Sequence, residues 1–339
     1  MPKPPTIRDV AERAGVSKSL VSLVLRGAPQ VSAGRRADVL AAIEELGYRP
    51  NGSARSLTER RTRTVGVLLN DLRNPWFVDL LEGLNSRLHE RGLRMLLGDG
   101  RLDRRVDEAL TQAFLEMRVD GLVLVGTQPE SAAITEAAGI LPTVVAGSRD
   151  PALSNVDVVA NDDSRGTELA VDHLVSLGHR RIAHIAGSLG TVAALRGQGY
   201  LDTMRGHGLT GRIEACDMTE YGGYRAAVRL LSASADERPT AIFAVNDIAG
   251  VGALSAADEL GIAVPERLSV VGYDNTYLAQ LRHLSLTSVD NASYEVGRQA
   301  AKALLARMAE PGRPASVELI QPTLRVRGSS AVRLAEPPG

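Results

Sequence analysis

The chain has 339 residues and a formal net charge of −1, long enough for a small domain beside a two-lobed one, because single cores rarely grow past about 250 residues. Charge is unevenly spread: residues 1–63 carry 12 Lys and Arg against 6 Asp and Glu, a net of +6, which leaves −7 on the remainder. Cys216 is the only cysteine, so no intramolecular disulfide or cysteine metal cluster forms. The N-terminal MPKPPTIRDV has no apolar leader core and no apolar run reaches the roughly 18 residues of a membrane span, so a cytoplasmic protein is expected.

The first predicted element starts at Thr6. Thr6 with Asp9 is a capping-box variant, and Ile7, Val10, Ala11 and Ala14 recur at the spacing of one buried helix face. Gly15 supplies the positive φ that a tight turn between crossing helices demands, and Ser17 caps the next helix. In that second helix Val21, Val24 and Leu25 share the inner side, while Ser19, Ser22, Leu23 and Arg26 lie opposite and Lys18 sits in the first turn. This is a helix-turn-helix pattern, whose outer residues reach base edges in a major groove. Lys18, Ser19, Ser22, Leu23 and Arg26, with Thr6 and Ser17, form the expected DNA-binding set, and the basic charge of residues 1–63 lies where phosphates would sit. The bland alternative is a small helical hairpin with a solvated face. A third helix follows Val31 and Ser32, with Val39, Leu40, Ile43 and Leu46 as its apolar positions and Gly47 as a left-handed C-cap.

The run TIRDVAERAGVSKSLVSLVLRG and the later NGSARSLT resemble the headpiece of the lactose-repressor/galactose-repressor (LacI/GalR) family of bacterial transcription regulators, and the likeness continues from about Thr6 to Gly328. It implies that residues 50–63, after Tyr48-Arg49-Pro50 breaks the third helix, are a hinge helix and linker. Asn51, Ala54 and Arg55 would meet DNA there, and Leu57 would wedge into the minor groove of the operator and bend it. Read without the resemblance, the same Gly- and Ser-containing stretch is an inert linker.

From Thr64 onward short apolar runs alternate with helical patterns. Residues 64–70, 93–97, 121–125 and 143–146 read as strands of one lobe, and 181–186, 241–245 and 268–272 as strands of another, the signature of parallel sheets covered on both faces. The expected architecture is an all-α helix-turn-helix headpiece (1–49) followed by an α/β, two-lobed, periplasmic-binding-protein-like domain (64–333) of two parallel doubly wound sheets. The resemblance implies three crossings between lobes, near 161–163, 289–291 and 321–323. One lobe then holds about 64–161 and 290–321, the other about 162–289 and 322–333.

The resemblance also implies an effector site between the lobes. Asn74-Pro75-Trp76-Phe77 is similar to the Asn-Pro-aromatic-aromatic motif of sugar-responsive members, and Asn161, Arg196, Asn246, Asp274 and Asn291 fall at the other contact places. An aromatic face suits the C–H side of a sugar ring, and carboxylate, guanidinium and amide groups fork onto its hydroxyls. Taken singly each has a plainer role: Trp76 as core, Asn161 and Asn246 as helix caps, Arg196 as partner of a surface acid.

Enzyme readings find little support. Gly206, Gly208 and Gly211 match GxGxxG but follow a helical run rather than a strand, and the six histidines lack zinc spacing. Asp99, Asp103 and Asp107 lie on a strand end and a polar helix, where solvated carboxylates are expected. The chain therefore reads as a DNA-binding repressor, not an enzyme, without cofactor or metal. Its expected partners are palindromic operator DNA, a sugar or polyol effector, and a second copy of itself, since the residues after Gly328 carry no leucine heptads for a tetramer. The alternative is a soluble binding protein or sugar-modifying enzyme that kept the fold.

Overall fold

A computed structural model describes residues 5–48, 61–101 and 103–333. They fall into two compact units divided after Thr62.

The first unit is three helices: α1 (Ile7–Arg13), α2 (Lys18–Leu25) and α3 (Ala33–Leu46). Both sides of the expected capping box form, with the Asp9 carboxylate accepting from the Thr6 backbone N–H at 2.7 Å. Gly15 takes φ +61°, and the Ser17 hydroxyl oxygen accepts from the Leu20 N–H at 3.2 Å. Gly47 closes α3 with φ 60°, ψ 28°. Val10, Ala11, Val21, Val24, Val31, Val39 and Ala42 make the core. Leu40 departs from the expectation: it is exposed, and Ala42 takes the buried place on α3. An ion pair from Arg13 to Glu45 (2.6 Å) adds a surface tie between α1 and α3.

The second unit contains two sheets of six strands each. Its elements are β1 (Thr64–Leu69), α4 (Trp76–Glu90), β2 (Arg94–Asp99), α5 (Arg104–Glu116), β3 (Gly121–Val125), α6 (Ala132–Ile140), β4 (Thr143–Ala146), β5 (Asp157–Asn161), α7 (Asp163–Ser176), β6 (Ile182–Gly187), α8 (Gly190–Gly206), β7 (Arg212–Cys216), α9 (Glu220–Leu231), β8 (Ala241–Ala244), α10 (Asp247–Glu259), β9 (Ser269–Tyr273), α11 (Tyr277–Gln280), β10 (Thr287–Asp290), α12 (Ser293–Ala309), β11 (Val317–Ile320) and β12 (Thr323–Arg325). The sheets run β2-β1-β3-β4-β5-β11 and β7-β6-β8-β9-β10-β12. Each is a doubly wound order with its switch between the first and third strands, the place where open α/β sheets hold ligands at strand C-termini. All seven strands read from the sequence are present within a residue or two. Five more were not legible: β5, β7, β10, β11 and β12. The sheets are parallel except for β12, which pairs antiparallel with β10.

Side chains alternate across each sheet, and both faces are covered. In β1, Val65, Val67 and Leu69 pack with α4 and α12, while Leu68 packs with Phe114 and Ile134 from α5 and α6. The second sheet repeats this, with Ile242 and Ala244 against α9 and α10, and Phe243 and Tyr273 against α7 and α8. Helices α4 and α12 meet backbone to backbone at two glycines. A Cβ on Gly83 would lie 2.0 Å from the Tyr294 carbonyl oxygen, and one on Gly297 2.0 Å from that of Leu80.

Asp107 corrects the expectation of a solvated acidic cluster. Asp99 pairs with Arg101 at 2.9 Å and Asp103 caps α5, but the Asp107 carboxyl is buried beneath Gly100 with neither oxygen hydrogen-bonded. Burial, reinforced by Asp103 and Asp99, pushes its pKa up to about 6. Among the described residues no helix is long and apolar enough to cross a membrane, and no group of three or more His, Cys, Asp or Glu is placed to hold a metal ion.

Candidate functional site

Two candidate sites emerge, one in each unit. On the headpiece, Thr6, Ser17, Lys18, Ser19 and Arg26 are exposed, as a surface that meets DNA requires. Ser22 and Leu23 are half-buried, and Leu23 packs against the headpiece core. The Arg26 guanidinium folds back onto the Ser22 carbonyl at 3.2 Å. The hinge residues Asn51, Ala54, Arg55 and Leu57 lie outside the described residues.

In the larger unit the predicted effector residues gather at strand C-terminal ends. Asn161 ends β5, Asn246 follows β8, Asp274 follows β9 and Asn291 follows β10; Trp76 opens α4, and Arg196 lies on α8. Local chemistry sets the aromatic: the Asn74 side-chain oxygen accepts from the Trp76 N–H at 3.0 Å, starting the helix at that residue. The indole then lies against Gly147, whose positive φ (+73°) and missing Cβ leave room for the ring.

A continuous polar chain joins the lobes. The Trp76 indole N–H donates to Asn291 Oδ1 at 3.1 Å, and Asn291 Nδ2 donates to Asp274 Oδ1 at 3.0 Å. That oxygen lies 3.7 Å from the Arg196 guanidinium. Asn161 donates its side-chain amide to the Asn291 carbonyl, tying the end of β5 to the same residue. Arg196 also donates to Asp163 Oδ1 (2.8 Å) and to the Val245 carbonyl (2.5 Å), and its guanidinium carbon sits 3.6 Å over the Tyr273 ring. It pairs with acids as the plain reading expected, though in the interior: the side chains of Arg196, Asp163 and Asp274 are each no more than 6% exposed.

The electrostatics follow from that burial. Burial drives the Asp274 carboxyl well above the ordinary carboxylate range; Arg196 opposes this, and the like charges of Asp247 and Asp163 add to it. Burial works against the Arg196 charge, yet Asp163 and Asp274 outweigh it and raise the guanidinium pKa. Beneath them His184, fully buried and stacked on Phe243 (centroids 4.6 Å apart), is pushed down to about 4 and stays neutral.

Two predicted residues have other visible work. Phe77 packs edge-on to Trp76 (5.0 Å, 77°) and sits in the core of its lobe. Asn246 caps α10, accepting from the Ala249 N–H at 2.8 Å, and its amide donates to the Met218 carbonyl at 3.0 Å. Sequence reasoning missed Asp163, Tyr273 and Asp247. Asp247 fixes the loop that carries Asp274, a residue at φ +102°: its carboxylate accepts from the Thr276 N–H (2.6 Å), the Thr276 hydroxyl (2.9 Å) and the Ser288 hydroxyl (2.6 Å). Burial lifts its pKa to about 6 against those bonds. Its only sequence signal was the Asn-Asp pair ending an apolar run, which equally suits a helix start.

Comparison with known proteins places both units. Residues 6–51 match the family model described as bacterial regulatory proteins, lacI family, and residues 171–330 match the periplasmic binding protein-like domain. The chain is 33% identical over 332 residues to the HTH-type transcriptional repressor PurR of Erwinia tasmaniensis, covering 96% of this chain and 97% of that protein. Among solved structures, the lac repressor dimer bound to operator and the anti-inducer ONPF superposes with a TM-score of 0.85 at 28% identity, over 97% of this chain and 100% of that one. A transcriptional regulator, CelR, in complex with cellobiose does so with 0.73 at 32% identity, over 96% and 100%.

Proposed function

Because the chain belongs to the lacI family of bacterial regulatory proteins, we propose that it is a sequence-specific transcriptional repressor, working in the cytoplasm as a homodimer on a near-palindromic operator and controlled by a neutral sugar or polyol held between its lobes. The observation that carries the reading is the bonded chain from Trp76 through Asn291 and Asp274 to Arg196. It brings a flat apolar ring, an amide, a carboxylate and a guanidinium to one place, which is the chemistry a polyhydroxylated ring requires. Hydroxyls of the effector replace bonds that these residues make with one another, so binding has differential affinity for two arrangements of the lobes, and that difference is what regulation needs. The cellobiose complex of a similar regulator supports a sugar.

In this reading residues 1–49 are the headpiece, 50–63 the hinge and 64–333 the effector domain. Lys18, Ser19, Ser22 and Arg26 meet the operator, and Leu57 wedges its minor groove. The test is selection of bound sequences from random DNA, then gel shifts of the selected site with neutral sugars and, as comparison, nucleobases. A single palindromic motif whose complex responds to a sugar supports the reading, whereas salt-sensitive binding without sequence preference refutes it. Leu57→Ala should lower specific affinity by about 1–3 kcal/mol and reduce the bend, with nonspecific binding retained.

A further inference from the structure

The lobes touch at a second place, where none of the predicted effector residues lies. The loop after β4 belongs to the first lobe, and α8 opens in the second. The Asp150 carboxylate on that loop accepts from the Thr191 backbone N–H at 2.6 Å and from the Thr191 hydroxyl. Asp150 is itself held, its N–H donating to the Ser148 hydroxyl at 3.0 Å, and Ser148 is buried.

Helix α8 has a reason to accept this carboxylate. Its own N-cap position is Leu189, which has no side chain to satisfy the first-turn N–H groups, and no acid stands in its first turn. Free N–H groups and the positive end of the helix dipole favour a carboxylate there, and here the other lobe provides it. The neighbouring Gly190 (φ +85°) leaves no room for a side chain, since a Cβ would fall 2.3 Å from Thr127 Cγ2 of the first lobe. The same loop carries Gly147, on which the Trp76 ring rests.

We propose that Asp150 and Thr191 form a clasp that holds the lobes together without effector, so that the opening equilibrium of the cleft is set partly by a helix cap exchanged between lobes. The proposal rests on the effector-cleft reading for its regulatory meaning. Opening the cleft breaks the clasp and leaves both the α8 N-terminus and the carboxylate to water. A charge-assisted pair of this kind shifts an open–closed equilibrium about tenfold.

Hydrogen–deuterium exchange of the full-length, effector-free protein reads that equilibrium directly, because exchange of amides exposed only by opening scales with the opening constant. Asp150→Ala should speed exchange about tenfold in segments 273–276 and 289–292, which line the cleft far along the chain from Thr191, and leave β3 and β8 slow. Thr191→Val, which removes only the hydroxyl and preserves the helix, should speed the same two segments by a smaller factor. Asp150→Asn keeps one acceptor oxygen but loses the charge and the second acceptor, so its exchange should fall between wild type and Asp150→Ala. If Thr191→Val leaves both cleft segments unchanged, or the acceleration in Asp150→Ala stays within the first turn of α8, the contact is a local cap and the clasp is overturned. Neither operator nor effector enters the measurement, so that result would leave the function proposed above standing.

Discussion

Arg196→Met is the most informative perturbation of the cleft. The guanidinium meets the Asp163 carboxylate at 2.8 Å, the Val245 carbonyl at 2.5 Å and the Tyr273 ring at 3.6 Å. Methionine keeps the length and apolar stem but leaves Asp163 and Asp274 buried with no counter-charge. Removing one partner of a buried ion pair costs about 3–5 kcal/mol, the greater part being the penalty of the orphaned charge. At about 2–4 °C per kcal/mol for a domain of this size, thermal unfolding should fall by roughly 10 °C at neutral pH. The deficit should depend on pH with a definite sign. Asp274 already has a folded pKa above its unfolded value, chiefly from burial, and losing Arg196 removes the charge that opposes the shift. An acid of that kind contributes stability that is present below its unfolded pKa and lost as pH rises through its folded pKa. The gap between variant and wild type should therefore narrow as the buffer goes from about pH 8 to about pH 5. Asp163→Asn in the Arg196→Met background should recover at least about 1 kcal/mol by removing one orphaned charge. Thermal melts followed by circular dichroism measure the first, and urea unfolding with the same signal measures the pH dependence and the recovery. A single variant within about 1 kcal/mol of wild type, or a gap that does not narrow on acidification, would mean that Arg196 is not the counter-charge of the cleft.

Elsewhere, Asp107→Asn should stabilise the larger unit by about 1–2 kcal/mol above neutral pH, because the folded pKa near 6 penalises the charged form. The gain should shrink as pH falls below about 6 and vanish below about pH 3, where the acid is protonated folded or unfolded, and calorimetric melts above neutral pH and near pH 3 check this. Gly83→Ala forces a Cβ against the Tyr294 carbonyl and should cost about 1–3 kcal/mol, read as a lower melting temperature. Ser17→Ala removes the cap that accepts the Leu20 N–H and should destabilise the headpiece by about 1 kcal/mol in thermal melts followed by helix signal.

What the sequence determined by itself was carried by short-range signals. Thr6 with Asp9, Gly15, Ser17 and Gly47 each act within four residues of their partners, so the headpiece helices were legible before any tertiary contact was known. Strands buried on both faces, such as VGVLL and GLVLV, show themselves as apolar runs. Four of the five missed strands lack that mark: β7 is buried only at Cys216, β11 and β12 are largely exposed edges, and β10 begins with buried Thr287 and Ser288, while β5 is buried but its apolar run is only Val158, Val159 and Ala160 between Asp157 and Asn161.

Family likeness pointed to Trp76, Arg196, Asp274 and Asn291, but their partners were a matter for tertiary structure. Trp76 and Asn291 are 215 positions apart, Arg196 and Asp163 are 33, and Asp150 and Thr191 are 41. Nothing local marks Asp107 as a buried orphan and Asp103, four residues earlier, as an exposed cap. Burial, and with it the pKa of a carboxyl or the strength of an ion pair, depends on which distant segments exclude water from a side chain. Secondary structure and family were therefore readable along the chain, while the charge state of the cleft and the contacts that hold its lobes together depended on the packing of the two sheets.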